Sequence, residues 1–337
     1  MTNRKNILGI LFGASALLAS IGVANAQTVI RFAWELPVTH NLSAAAEMFA
    51  KSVEEKTSGS VKIELYPAAQ LTKDSTFVKE ITSGTIDGGL TPTLYWTSVM
   101  PLAGIFDVPY LVRSFDESEK VLDSTVGESL LKRLQKFDVE GIGYFNYGFG
   151  IFGSNRKALK TPADFRGQKF RTNNDVGAQL LQAYGASPTF MSGSEVFLGL
   201  QRGTIDGTHT GLSSVYSRKM YEVLKHLTVD NHNMIPYMVV IRKPVFDSLT
   251  PEEQQVLRDS AKAAGTWAAE MQEKDDISAV GALREEGMEI IELSSEELEV
   301  WAKAAQPVID AWPTLVGDEG KQMIDDINKV LGRSANP

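Results

Sequence analysis

The chain has 337 residues, with 33 basic against 42 acidic side chains for a net charge of −9, and no cysteine. An acidic surface argues against nucleic acid or an anionic membrane as partner. Without thiols there is no disulfide framework, no thiolate metal site and no cysteine nucleophile, so stability must come from packing, and 43% hydrophobic residues can supply one or two cores.

Arg4 and Lys5 precede an apolar run from Ile7 to Val23, which ends in Ala24-Asn25-Ala26. That order reads as a signal peptide, residues 1–26, cut after Ala26. Gly9, Gly13, Ser15, Ser20 and Gly22 dilute the run, which is short for a bilayer span of about 20 apolar residues. Losing Arg4 and Lys5 would move the net charge from −9 to −11. No later stretch approaches a membrane span, so a soluble, periplasmic mature protein is expected.

Thr28 to Trp34 alternates as a first strand. Leu42, Ala45, Ala46, Phe49, Ala50 and Val53 then share one helical face. Val61 to Leu65 reads as a strand and Phe77 to Ile81 as a helix, followed by the turn Gly84-Thr85-Ile86-Asp87-Gly88. Asp116 with Glu119 predicts a capped helix running to about Phe137. Gly141 to Phe145 leads an aromatic strand, Thr161-Pro162 opens a short turn, and Lys169 to Thr172 is a strand before a helix from about Asp175 to Tyr184. Ser187 to Met191 reads as a strand and Val196 to Leu200 as a helix, leading to Gly203-Thr204-Ile205-Asp206-Gly207. Met238 to Ile241 is another strand. Thr250-Pro251-Glu252-Glu253 starts a long helix to about Val280, Ser294 with Glu297 starts another, and the tail from about Asp318 to Leu331 is helical.

The pentapeptide at 84–88 recurs at 203–207, each time after a strand and a helix. Two copies are too few for a solenoid and suit two similar α/β domains. Asp87 and Asp206 are read as turn-capping carboxylates. No low-complexity linker separates the halves, so several crossovers are expected.

Catalytic patterns are lacking: no H-E-x-x-H, G-x-S-x-G or Walker A occurs. Ser154-Asn155-Arg156-Lys157 fits S-x-x-K, but no S-D-N or K-T-G accompanies it. His226 and His232 lack a carboxylate at zinc-ligand spacing. Neither a catalytic residue, a metal nor a cofactor is predicted; a periplasmic hydrolase is the remote alternative. A crevice between two α/β domains remains, lined by the loops after the repeated turns. Alternation puts Arg171 on the face opposite Phe170, and its guanidinium suits either a carboxylate in the crevice or solvent.

These residues resemble the extracytoplasmic solute-binding proteins of tripartite ATP-independent periplasmic (TRAP) transporters, of the dicarboxylate-binding type. The stretches that carry the likeness are 65–71 (Leu-Tyr-Pro-Ala-Ala-Gln-Leu), 83–87 (Ser-Gly-Thr-Ile-Asp), 106–110 (Phe-Asp-Val-Pro-Tyr), 164–171 (Asp-Phe-Arg-Gly-Gln-Lys-Phe-Arg), 194–196 (Ser-Glu-Val) and 201–207 (Gln-Arg-Gly-Thr-Ile-Asp-Gly). The resemblance implies a two-lobed α/β solute-binding fold with multiple crossovers and a long helix spanning both lobes. Residues 27–147 with about 236–278 would form the first lobe, and 148–235 with about 279–337 the second. It also implies a monomer that serves the small and large membrane subunits of a TRAP permease, and a carboxylate paired with Arg171.

Two departures bear on the ligand. Gly148-Phe149-Gly150-Ile151 stands where many relatives carry a second arginine, and Thr208-His209-Thr210-Gly211 replaces Gln-Glu-Asn-Pro. With Glu35, Tyr95, Trp96, Tyr147, Phe149, Asn173, His209, Thr210 and Tyr237 as expected lining beside Arg171, the ligand expected first is a monocarboxylate, aromatic or zwitterionic among the options. The alternative is a small cationic amine held by Glu35 and aromatic rings.

Overall fold

The computed structural model describes residues 27–333, so the expected signal peptide lies outside them. The first half begins β1 (Thr28–Ala33), α1 (Asn41–Lys56), β2 (Val61–Tyr66), α2 (Asp74–Ser83) and β3 (Gly88–Pro92), then α3 (Phe115–Leu122) and α4 (Thr125–Arg133). A long strand, β4 (Val139–Ser154), leads into β5 (Lys169–Thr172), α5 (Asp175–Ala183), β6 (Ser187–Phe190), α6 (Val196–Gln201), β7 (Gly207–Gly211) and α7 (Leu212–Ser217). The chain returns along β8 (His226–Arg242) to α8 (Lys243–Asp247) and α9 (Pro251–Glu285), and ends in β9 (Glu289–Glu292), α10 (Ser295–Val316) and α11 (Asp318–Val330).

The repeated pentapeptide organises the sheet, whose order is β2-β1-β3-β8-β4-β7-β5-β6, with β9 on β8. Read from either end, two parallel strands and the strand after a repeat lead to a long central strand. Each repeat begins with glycine in the left-handed region, φ +81° at Gly84 and +69° at Gly203, where a side chain is strained. Each buries its isoleucine, Ile86 and Ile205. Each aspartate caps the neighbouring parallel strand: Asp87 accepts from the backbone N–H of Arg31 at 3.1 Å, and Asp206 from that of Lys169 at 2.8 Å. The matching pairs Phe32↔Gly88 and Phe170↔Gly207 then register β3 on β1 and β7 on β5. The sequence predicts a βαβ unit at each copy; in the fold β1 and β5 lie between its two strands.

β4 and β8 cross between the lobes and pair along most of their length, with register shifts at 141/143, 146/149 and 150/152. Gly148, at φ +89°, sits in the second of these. The long helix α9 spans both lobes. Its Leu257, Ala261, Ala264 and Ala268 pack into the core built on β1 and α1, while Ala279 and Leu283 pack with Val196, Leu200 and Ile205 of the second lobe. Thr250 caps it in a box with Glu253, and it runs to Glu285, past the expected end near Val280.

Two expectations are corrected. The helix predicted from Asp116 to Phe137 is broken: Ser114 caps α3, Asp123 ends it, and Ser124 caps α4. A side-chain oxygen at Ser124 offers the backbone a new start, which competes with continuing the helix. The last stretch also does not stay with the second lobe. Trp301 and Ala305 of α10 pack there, but Val308, Trp312, Met323 and Ile327 join the core around Met100, Ile105 and Leu130 of the first lobe. Pro307 falls between these two sets and removes one helical hydrogen bond where α10 changes neighbours.

A buried carboxyl in the segment between β3 and α3 ties two of these elements. Asp107 accepts from Asn174 at the head of α5 at 2.7 Å and from Asn233 of β8 at 2.9 Å. Burial pushes its pKa up to about 7, against the opposing effect of the two amide donors. The folded chain therefore holds this proton through a window, from about pH 4 to about pH 7, in which the unfolded chain has released it. Stability from this group is present below the window and lost as pH rises through it, by up to about 4 kcal/mol. Asp107→Asn should remove that slope, so that the wild-type stability falls relative to the variant as denaturation is measured from about pH 4 to about pH 7; a difference independent of pH would place the titration elsewhere.

Close packing of α9 on β4 gives a second prediction. A Cβ on Gly265 would meet the Tyr144 carbonyl oxygen at 2.4 Å. Alanine gains about 1 kcal/mol of helix propensity, yet the contact is with backbone that cannot swing aside. Gly265→Ala should therefore lower the melting temperature, with a net loss of about 1–3 kcal/mol. Raised stability would mean that α9 rides further from the sheet.

Candidate functional site

The parallel strands of both lobes end at one cavity, where open α/β sheets present their ligand-facing loops. Tyr95 follows β3, Asn173 follows β5, and Thr208, His209 and Thr210 come from β7. Tyr147 of β4 and Ile235 and Tyr237 of β8 supply the floor; Asp74, Gly193 and Arg218 complete the wall. The cavity is narrow, about 30 Å³, room for about two waters, so the lobes stand closed over it.

Arg171 owes its position to the pleat of β5. Phe170 turns to the aromatic cluster of Phe152, Phe165 and Tyr184, which sends Arg171 to the opposite face, only 5% exposed. Its Nε donates to the Met191 carbonyl at 2.9 Å, Nη1 to the His209 carbonyl at 3.2 Å and Nη2 to the Tyr95 hydroxyl at 3.3 Å. These three contacts orient the guanidinium without neutralising it. Among the described residues it forms no ion pair with a carboxylate, which is costly for a buried charge.

Around it the polar groups are mutually held. His209 Nε2 bonds Asn173 Oδ1 at 3.0 Å, and burial, with Arg171 adding, drives the imidazole pKa well below its ordinary value. His209 is thus a neutral ring whose Nδ1 has no partner among the described residues. The Tyr147 and Thr210 hydroxyls lie 3.1 Å apart, and Tyr147 Oη accepts from the Gly211 N–H. Tyr147 stacks on Tyr237 on one side and on His40 on the other, both at 5.3 Å between ring centres.

The expected lining divides. Arg171, Tyr95, Tyr147, Asn173, His209, Thr210 and Tyr237 all reach the cavity. Trp96 and Phe149 do not. Trp96 is fully buried against Phe137, and Phe149 packs edge-on against Phe115, both in the core of the first lobe. An aromatic near a strand end looks the same in sequence whether it faces core or cleft. Glu35 stands behind the wall: its Oε2 accepts from the Asp74 N–H at 2.9 Å and the Ser192 hydroxyl at 2.7 Å, and its Oε1 lies 3.6 Å from Arg218.

Sequence reasoning passed over Arg218 and Asp74. Arg218 ends α7 beside Lys219, which reads as a solvated basic pair; Asp74 follows Lys73 at a helix start, which reads as a cap. No local pattern marks either one. Their place in the cavity comes from the closing of the lobes, which also joins Lys73 to Glu195 at 2.8 Å and the Thr39 hydroxyl to the Ser217 carbonyl at 3.2 Å. The positive groups outnumber the negative here. Arg171 and Arg218 face Glu35, while burial and the neighbouring Glu35 raise the Asp74 pKa and favour its protonated form.

Comparison with known proteins places this architecture. The family model for bacterial extracellular solute-binding protein, family 7, matches residues 32–314. The chain is 32% identical over 288 residues to the 2,3-diketo-L-gulonate-binding periplasmic protein of Escherichia coli strain K12, covering 85% of this chain and 88% of that one. It is 31% identical over 321 residues to the C4-dicarboxylate-binding periplasmic protein of Rhodobacter capsulatus, covering 94% and 96%. The crystal structure of a TRAP periplasmic solute-binding protein from Haemophilus influenzae with bound L-gulonate superposes with a TM-score of 0.86 at 27% identity, over 90% of this chain and all of that one. By family match, by kinship along nearly its whole length and by its two-lobed fold, the chain belongs to bacterial extracellular solute-binding protein family 7, the solute-binding proteins of TRAP transporters.

Proposed function

We propose that this protein captures a small organic acid in the periplasm, holds its carboxylate against Arg171 in the closed cleft, and delivers it to the membrane subunits of a TRAP permease. The observation that carries the reading is a buried guanidinium, oriented by two carbonyls and a hydroxyl, that no carboxylate of the described residues neutralises. A ligand carboxylate supplies the missing charge and can accept two parallel N–H bonds from the planar fork. Relatives named for 2,3-diketo-L-gulonate and C4-dicarboxylates, and one solved with L-gulonate, support an organic acid. Export would follow cleavage after Ala26. A cationic amine fits poorly, because it would enter beside two arginines while Glu35 is already engaged by Ser192, the Asp74 N–H and Arg218.

A cavity this narrow admits its ligand only when the lobes part, so binding is hinge closure. In a thermal-shift screen of monocarboxylates, dicarboxylates, amino acids, betaines and amines, the acids should give the hits. A ligand at about 100 times its Kd raises stability by about 2.7 kcal/mol. Hits confined to amines or betaines would refute the proposal.

Arg171→Lys keeps a positive charge but loses the fork and its fixed orientation. Titration calorimetry with the best acid should show binding at least about tenfold weaker, about 1.4 kcal/mol. Wild-type affinity in the lysine variant would remove Arg171 from the role of carboxylate partner.

A further inference from the structure

We infer that the Tyr95 hydroxyl is the first lobe's half of the carboxylate grip: it accepts from Arg171 and donates its own hydrogen to the carboxylate that Arg171 holds, so the bound group is clasped from both lobes. The inference rests on the organic-acid reading above and adds the contact that ties binding to closure.

Three observations meet at this hydroxyl. First, of the three contacts on the guanidinium, the Met191 and His209 carbonyls belong to the second lobe, which also carries Arg171, whereas Tyr95 belongs to the first. Second, the donor count leaves a hydrogen over. A guanidinium has no lone pair, so Nη2 donates and Tyr95 Oη accepts, at 3.3 Å. The phenolic hydrogen is left to find an acceptor, and among the described residues the hydroxyl makes no other hydrogen bond. Burial, with Asp74 and Glu35 adding, holds the phenol pKa above its ordinary value, so that hydrogen stays in place. Third, Tyr95 and Arg171 line the same narrow cavity, whose room for about two waters matches the two oxygens of one carboxylate.

The first lobe carries this hydroxyl on a stiff mount. Tyr95 sits in the 3₁₀ turn Thr93–Ser98 that follows β3, where the Thr97 hydroxyl donates to the Leu94 carbonyl at 2.8 Å, and its ring packs on the core of β1 and α1. When the lobes part, the hydroxyl leaves with the first lobe, while Met191 and His209 stay with Arg171. The open cleft therefore offers a carboxylate the guanidinium alone, and closure adds the O–H donor. A contact made only in the closed state is the kind that shifts the equilibrium toward closure. An ammonium has no lone pair for either donor, and an alkyl end leaves both unused.

The test is titration calorimetry and stopped-flow tryptophan fluorescence on residues 27–337, with L-gulonate, succinate, pyruvate and 4-hydroxybenzoate as probes. Tyr95→Phe keeps the ring and loses the hydroxyl. The acid that wild type binds most tightly should bind this variant at least about tenfold more weakly, through faster dissociation, with the association rate within about threefold of wild type. Tyr95→3-fluorotyrosine separates donation to the ligand from mere orientation of Arg171. The ring fluorine makes the hydroxyl a stronger donor and a poorer acceptor, so at about pH 6, where the phenol is neutral, this variant should bind the acid more tightly than wild type. Equal or weaker binding there overturns the inference. Wild-type affinity in Tyr95→Phe, or a loss confined to the association rate, overturns it too, and each of these results leaves the organic-acid reading standing. Binding of none of the four acids to wild type overturns both. The fluorinated variant differs from wild type by one small atom and decides the matter even where Tyr95→Phe does not fold.

Discussion

A positive charge held in a dry place is the constraint on which this molecule turns. Arg171 reaches the cavity because its neighbour Phe170 belongs to an aromatic core, and the strand allows no other side for the next residue. The Met191 and His209 carbonyls then fix the plane of the guanidinium. Nothing in these contacts supplies negative charge. A neutral His209 avoids adding to the positive charge, and its low pKa follows from the same burial and the same arginine. The wall is arranged around a charge awaiting its complement.

The lobes that enclose it are two readings of one short sequence. At each copy a left-handed glycine stops a helix, an isoleucine enters the core, and an aspartate grips the N–H of a neighbouring strand. The same carboxylate that looks like a site residue in a binding protein is spent on register. Because both copies perform the same operation at opposite ends of one sheet, their following loops face one crevice. The long strands β4 and β8, shifted in register at Gly148, and the helix α9 carry the chain across without a flexible linker.

How much of this was legible in the sequence depends on the range of the interaction. The repeat, the caps at Thr250 and Ser294 and the alternation that sets Arg171 against Phe170 are local, and each maps onto the fold. The break at Asp123-Ser124 is also local, but there two capping signals competed and the second won. Trp96 and Phe149 show where locality ends. Their faces are chosen by Phe137 and Phe115, which no spacing rule connects to them. Arg218 and Asp74 are the extreme case, since they become site residues only when one lobe meets the other. Likewise, the crossing of α10 at Pro307 is decided by which core takes Trp312.

That last class of contact also explains how a weak latch can serve a selective receptor. Among the described residues the bonds that cross the mouth are polar: Lys73 with Glu195 at half-exposed positions, Thr39 with the Ser217 carbonyl, Arg171 with the Tyr95 hydroxyl, Glu35 with Ser192 and Arg218. Exposed pairs of this kind contribute about 0–1 kcal/mol, and the buried one must offset its own desolvation. Closure without a ligand therefore gains little beyond its cost and traps an unneutralised guanidinium. A bound solute shifts the equilibrium only by what it adds to the closed state alone. In the function proposed for this cleft, a carboxylate at Arg171 would add a charge-assisted contact that the open, water-filled cleft largely screens.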